Sequence, residues 1–260
     1  MSNKIELDKY YTPKDTALYC TNKTKEIVPD ISEFIEPSAG NGSFSSQIVN
    51  CIAYDIAPEA DGIIKQDFLE LDIEYKPKRC VIGNPPFGSR LNLAQKFFKK
   101  SIEIADYIAF ILPISQLQNT NSLYEFDLIH SEDLGKIHYS DRNLHCCFNI
   151  YKRPKNGLNK KKPNKLKTVE IVRQDSKKYP DFKADIVMCY WGNGSAGKIL
   201  KENETYSAMY KIKVADEFKD DVKRVLSEVD WFKELNCIAM LKIQQFHIIN
   251  VLKKHIPNIY

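Results

Sequence analysis

Apolar runs long enough to cross a bilayer as a helix are missing from this chain of 260 residues, which argues against a helical membrane protein. The opening stretch, residues 1–10, carries charges throughout and lacks the apolar core of a secretory signal, so a cytoplasmic location is expected. No Cys-x-x-Cys pair occurs: Cys20, Cys51, Cys80, Cys146, Cys147, Cys189 and Cys237 are odd in number and scattered. That spacing argues against a disulfide framework and a zinc site, and predicts buried, reduced thiols and no metal. Internal repeats are absent as well. Two near-motifs each lack a decisive residue. Gly40-Asn41-Gly42 has no third glycine of the dinucleotide fingerprint, which counts against a bound pyrophosphate and leaves room for a nucleoside. Gly192-Asn193-Gly194-Ser195-Ala196-Gly197-Lys198 nearly spells a phosphate-binding loop, but Ile199 stands where Ser or Thr must reach magnesium, and fewer than seventy residues follow. The segment reads instead as a glycine-rich hairpin.

What the chain does have is Asn84-Pro85-Pro86-Phe87, one glycine after the apolar run Cys80-Val81-Ile82. Such a tetrad at the end of a buried strand suits the alkylation of a planar amine. The lone pair of an exocyclic amine is delocalised into its ring, so a catalyst must hold both N–H groups in a geometry that favours tetrahedral nitrogen. The Asn84 side-chain oxygen and the Pro85 backbone carbonyl are two acceptors fit for that. Neither proline has an N–H and both fix φ, so their carbonyls are aimed with little entropy left to lose. Rigid acceptors facing developing positive charge act by electrostatic preorganisation. Phe87 adds a ring on which a base can lie, worth about 1–3 kcal/mol. The plainer alternative is a proline-stiffened strand-to-loop turn, and the residues upstream weigh against it.

Upstream, Phe34-Ile35-Glu36-Pro37-Ser38-Ala39-Gly40-Asn41-Gly42-Ser43-Phe44 runs from a strand predicted over 31–35 into a helical pattern that opens over 45–49. Gly40 and Gly42 permit a tight turn and the close approach of a ligand. A second strand over 51–54 closes on Asp55, where a ribose hydroxyl pair would be held. A third, Ile63-Ile64, leads into Gln66-Asp67-Phe68-Leu69, whose acid is placed to accept from an adenine amine. Either acid alone reads as a solvated loop residue; their shared position at successive strand ends carries the inference. Leu93, Phe97, Phe98, Ile102 and Ile104 recur at helical spacing, and residues 107–112 form a continuous apolar strand stopped by Pro113. Strands alternating with helices predict a parallel, doubly wound sheet. Residues 135–139 and 145–151 have no helix between them and predict a closing antiparallel hairpin, seven strands in all.

The net charge is only +4, yet basic residues crowd one stretch. Lys152, Arg153, Lys155, Lys160, Lys161, Lys162, Lys165, Lys167, Arg173, Lys177 and Lys178 stand against only Glu170 and Asp175. This local excess exceeds that of the whole chain, so the remainder is acidic. Loop formers Pro154, Asn156, Gly157, Pro163 and Asn164 share the stretch. A loop that orders on a phosphate backbone is expected, with Lys160, Lys161, Lys162 and Lys165 on the phosphates and Lys198 of the glycine-rich hairpin as a further contact. Beyond it, 169–172, 186–191 and 206–214 read as strands, and 218–232 and 236–255 as helices. The predicted organisation is a catalytic domain over 1–153, a basic linker over 154–167 and a small C-terminal region over 168–260.

As a set, Tyr11-Thr12-Pro13, the run from Glu36 to Gly42, Asp55, Gln66-Asp67-Phe68 and Asn84-Pro85-Pro86-Phe87 stand in the order and approximate spacing of the gamma-class DNA adenine-N6 methyltransferases. The chain resembles that family over residues 7 to about 153. The resemblance implies an α/β fold, a Rossmann-like seven-stranded methyltransferase sheet with a small C-terminal α+β recognition region. It implies S-adenosylmethionine as cofactor: Tyr11, Thr12 and Pro13 at its methionine end, Glu36, Pro37, Ala39, Gly40 and Gly42 beneath it, Asp55 on its ribose and Asp67 on its adenine. Asn84, Pro85 and Phe87 would take the target adenine, with Asn84 also bordering the cofactor. Phe148 matches a position where the family sets an aromatic against the extruded base. The implied partner is double-stranded DNA, in which the amine is reached only by flipping the base out. Phe87 stands where Tyr is commoner, and both rings stack. Other substrates stay open. Cytosine-N4 enzymes usually carry Ser in place of Asn84, RNA adenine dimethylases usually lack the double proline, and glutamine methyltransferases share an Asn-Pro-Pro-Tyr tetrad but resemble this chain less from Tyr11 to Thr16 and from Glu36 to Phe44. A silent nucleic-acid-binding module built on the basic loop is the alternative of another class.

Overall fold

Two runs of almost purely apolar residues, Cys80-Val81-Ile82 and residues 107–112, leave neither face fit for water and belong in the middle of a sheet. In the computed structural model, which describes residues 11–139, 142–161, 164–174, 181–192, 194–238 and 241–260, they are its central strands. The chain divides into two units, Met1–Lys161 and Lys162–Tyr260. The first contains α1 (Lys14–Ile27), β1 (Glu33–Glu36), β2 (Cys51–Asp55), β3 (Ile64–Lys65), β4 (Arg79–Gly83), α2 (Asn92–Ile104), β5 (Tyr107–Pro113), β6 (Asp127–Tyr139) and β7 (Arg142–Lys152). Its seven strands lie in the order β3-β2-β1-β4-β5-β7-β6. Strands β1 to β5 pair in parallel, with Ile35 opposite Ile52 and Val81, and Cys80 opposite Tyr107. Strand β7 inserts antiparallel between β5 and β6. This is the Rossmann-like methyltransferase arrangement predicted from the sequence.

Alternation along the strands gives the sheet two apolar faces. On one, Ala17 and Cys20 of α1 join Phe34, Cys80, Ile82, Ala109, Ile111 and Phe148 in a buried cluster. On the other, Phe98 of α2 meets Tyr151 edge-on, ring centres 5.0 Å apart, and Phe126 at 6.1 Å. Each large apolar side chain so buried contributes about 1.5–3 kcal/mol. Helix α1 is not foreseen by the sequence pattern. Its hydrophobic periodicity is weak because Thr21 and Thr24, both fully buried, occupy positions on its inner face.

Other elements depart from expectation. The helix expected from Ser45 is a single 3₁₀ turn, Ser45–Gln47. Strand β2 starts at Cys51, too soon for more, and the Gln47 amide closes the turn on the Ser43 carbonyl at 2.6 Å. Among the described residues only the β4–β5 crossover carries an α-helix; the stretch from β3 to β4 holds a 3₁₀ turn at Phe68–Glu70. Strand β6 begins at Asp127, well before the expected residue 135. It is an edge strand with register shifts at Leu128/His130 and Asp133/Gly135, and Ser131, Glu132 and Asp133 hid it from a hydrophobic count.

The second unit contains β8 (Val169–Arg173), β9 (Ile186–Cys189), β10 (Met209–Val214), α3 (Lys219–Glu228), α4 (Trp231–Glu234) and α5 (Gln245–His255). Its antiparallel sheet has the order β8-β10-β9, so it is α+β as predicted. The helix expected over 218–232 breaks before Trp231, where the Asp230 carboxylate caps α4 by accepting from Lys233 N at 3.1 Å. The helix expected over 236–255 begins only at Gln245. Just before it, Ile243 N donates to the Tyr190 carbonyl at 2.8 Å, and a capping box at Gln244 and His247 then starts the helix.

Candidate active site

From β1 the chain runs outward to β2 and β3, then crosses back to β4 and β5 on the other side. The loops that leave β1 and β4 therefore diverge and open a crevice at the carboxyl ends of the strands, the usual place for a ligand in such a sheet. Here the loops after β1, β2, β3 and β4 enclose a cavity of about 380 Å³, within the range of small-molecule sites, about 300–1,000 Å³.

One side of the cavity is built by the glycine turn and the acids. Gly40 has φ +53°, backbone that favours glycine, and the Tyr11 ring packs beside it, 3.5 Å from where a first side-chain carbon would stand. Gly40 N donates to Asp55 Oδ2 and Ala57 N to Asp55 Oδ1, both at 2.7 Å. These bonds fix the carboxylate while each oxygen keeps a lone pair for a ligand hydroxyl. Asp67 Oδ1 accepts from Leu69 N at 2.9 Å and caps the turn that follows. Beside it Phe68 and Phe97 stack, ring centres 5.4 Å apart, and give the wall an apolar flank. The N-terminal segment is tied across the turn: Ser43 Oγ donates to the Thr12 carbonyl at 2.7 Å, and Tyr11 Oη to Glu59 Oε2 at 2.6 Å. Glu36, the last residue of β1, is 2% exposed and accepts from Ser45 N at 2.8 Å. Burial pushes its carboxyl up from 4.5 to about 7, against hydrogen bonds from Ser45 and Phe44 that pull it down, with Asp55 adding to the rise.

The other side is the tetrad. Asn84 follows β4 directly, and Ser38 Oγ donates to its backbone carbonyl at 3.4 Å, linking the two loops. Asn84 Nδ2 donates to Tyr139 Oη at 3.4 Å. Asn84 Oδ1 is buried and has no partner among the described residues. An unmet buried acceptor costs about 1–3 kcal/mol. Pro85 and Pro86 continue the wall. The chain then passes through left-handed backbone at Gly88 (φ +66°), Arg90 (+52°) and Leu91 (+68°). For the two non-glycine residues that costs on the order of 1 kcal/mol each, offset by burial of Leu91.

Of the residues singled out in the sequence, Tyr11, Thr12, Glu36, Pro37, Ala39, Gly40, Asp55, Asp67, Asn84 and Pro85 meet around this cavity. Pro13 and Gly42 are not among the lining residues: Pro13 accepts from Ala17 N at the start of α1, and Gly42 N turns back to the Ala39 carbonyl at 2.7 Å. The Phe87 ring is half-buried against the core cluster and lies off the described cavity wall. Phe148 needs correction as a stacking platform. It is 0% exposed, in the core beneath α1, with no ring surface on which a base could lie. Ile56, Phe68, Leu69, Leu93 and Phe97 line the cavity without having been proposed for it. The first three follow directly on Asp55 and Asp67, a signal that was there to be used.

Lys160, Lys161 and Lys165 are exposed and make no ion pair among the described residues, whereas Lys162 lies outside them. Lys198 is ion-paired with Glu204 at 2.8 Å and sits 5.8 Å over the Tyr206 ring. All seven cysteines are outside disulfides, and all but Cys51 are buried. Among the described residues no group of three His, Cys, Asp or Glu is placed to hold a metal ion, and no helix is long and apolar enough to cross a membrane.

No family model and no curated protein matches this chain. Among solved structures, PH1948 of Pyrococcus horikoshii, proposed as an RNA methyltransferase, is similar over 58% of this chain and 90% of its own, at 18% identity and a TM-score of 0.47. The 23S rRNA methyltransferase ErmE is similar over 58% of this chain and 72% of its own, at 14% identity and 0.43. A modification subunit ascribed to a type I restriction enzyme of Vibrio vulnificus YJ016 aligns over 94% of this chain and 60% of its own, at 9% identity and 0.41. At such low likeness, strand order and direction define the fold, and no neighbour does.

Proposed function

We propose that the protein is an S-adenosylmethionine-dependent methyltransferase that acts on the exocyclic N6 amine of adenine in DNA. The observation that carries this reading is Asn84, which lines the same cavity as Glu36, Gly40, Asp55 and Asp67 and whose buried Oδ1 has no partner among the described residues. The donor set fits the cofactor. Asp55 accepts from ribose hydroxyls, Asp67 from the adenine amine, Phe68 and Phe97 flank the purine, and the bare Gly40 lets the backbone come close. Glu36 favours a cation nearby. S-adenosylmethionine supplies a methyl carbon made electrophilic by its sulfonium.

Asn84 Oδ1 and the Pro85 carbonyl hold the two N–H groups of the target amine. Transfer would move the methyl from sulfur to nitrogen as the sulfonium becomes a neutral thioether; both acceptors would stabilise the positive charge on nitrogen until one N–H proton passes to water, and alignment in the crevice would supply the rest of the rate. Phe87 offers its remaining ring surface to the base. The exposed Lys160, Lys161 and Lys165 support a phosphate-binding role for the segment 154–167, with 168–260 as the target-recognition region. Expression in a methylation-deficient host followed by sequencing for modified bases tests the reading. N6-methyladenine in one short DNA motif is expected; marks on cytosine N4, or on RNA alone, would contradict it.

A further inference from the structure

The pairing of β6 with β7 runs beyond that of β7 with β5. Strand β5 ends at Pro113 opposite Cys146, whereas residues 142–145 of β7 pair with β6 alone. That overhang carries Tyr139, fully buried, to the tetrad. Tyr139 Oη lies 3.4 Å from Asn84 Nδ2 and 3.7 Å from Cys146 Sγ. A phenol has one hydrogen. If it goes to the sulfur, what faces Asn84 is a lone pair, which takes the amide NH₂ and refuses the amide oxygen. A carboxamide held by its nitrogen end points its oxygen the other way, and in Asn84 that oxygen is the one without a partner among the described residues. Burial and the neighbouring Cys146 raise the phenol far above its ordinary value, so it keeps its hydrogen throughout the working pH range.

We propose that Tyr139 is a positioning residue: with its hydroxyl directed by Cys146, it selects the orientation of Asn84 in which Oδ1 faces the amine to be methylated. This rests on reading the cavity as an amino-methyltransferase site. Neither Tyr139 nor Cys146 touches substrate or donor in this scheme.

Tyr139→Phe keeps the ring and removes the hydroxyl. In steady-state methyl transfer we expect kcat to fall about tenfold or more, as for other groups that orient a catalytic side chain, while the cofactor Kd stays within about twofold. Cys146→Ala should lower kcat in the same sense, and Cys146→Ser, which restores an acceptor, should recover most of it. In ¹⁵N spectra the Asn84 side-chain amide protons should exchange more slowly in the wild type than in Tyr139→Phe, a readout independent of turnover. Wild-type kcat in Tyr139→Phe, a loss matched by weaker cofactor binding, or unchanged amide exchange overturns the positioning role. Cys146→Ser no better than Cys146→Ala removes Cys146 from it. A wild-type protein that binds the cofactor but methylates no adenine overturns the functional reading itself, and the positioning role falls with it.

Discussion

Burying a carboxyl at the end of a central strand costs stability unless the group is protonated or meets a cation, and Glu36 is in that position. Its folded pKa, about 7, lies above the ordinary 4.5, so the folded state binds this proton more tightly than the unfolded one. The resulting stabilisation is full below about pH 4.5 and is lost as pH rises through about 7. Glu36→Gln should therefore flatten the decline of Tm between about pH 5 and pH 8, read from melts across a pH series; an unchanged slope would assign that decline to other groups. A cationic ligand reverses the preference. Cofactor binding should release a proton and tighten as pH passes through about 7, and calorimetry in buffers of different ionisation enthalpy measures this directly. At this scale the acids were legible because Asp55 ends β2 and Asp67 stands two residues after β3, at the turns that follow successive strands. Phe148 was not. Whether an aromatic in β7 faces the crevice or the core depends on hairpin register, and two bulges in β6 take part in setting it.

The element that positions the chemistry is the loop from Asn84 to Leu91, where a stiff proline pair is followed by backbone in the left-handed region. Gly88 is its pivot. At φ +66° an added Cβ would stand 2.3 Å from Asn92 Oδ1 and 2.8 Å from Leu93 Cβ, against the first turn of α2. Gly88→Ala should cost about 2–4 kcal/mol in urea denaturation, from backbone strain plus overpacking, and should lower turnover by moving the tetrad. A loss under about 0.5 kcal/mol, the scale of a surface change, would show that the loop relaxes freely. Strands β4 and β5 and helix α2 could be read from the sequence because their apolar spacing is unmistakable. The single turn at Ser45 could not, since helical spacing over five residues does not reveal that β2 begins four residues after it ends. Helix α1 escaped for the opposite reason, its buried threonines.

For the molecule as a whole, the division between the two units, at Lys161 and Lys162, falls within the basic stretch. The role of that stretch rests on charge, so its test is ionic. Replacing Lys160, Lys161 and Lys165 with Ala should weaken nucleic-acid binding alike across sequences and reduce the slope of log K against log salt by about three, near 0.9 for each phosphate left without its lysine. An unaltered slope would leave the segment as a solvated connection. Lys198 is a weaker candidate than its sequence suggests, because Glu204 already holds its charge; sequence spacing gives no sign of that pairing. The proposed chemistry depends on Asn84 Oδ1 gripping an amine beside the cofactor. The most direct measurement is single-turnover transfer of a labelled methyl group to adenine-containing duplex DNA by wild type and Asn84→Ala, with cofactor Kd determined for both. Cofactor affinity within about twofold and a rate at least about 100-fold lower is the predicted result; transfer at the wild-type rate by Asn84→Ala would contradict it.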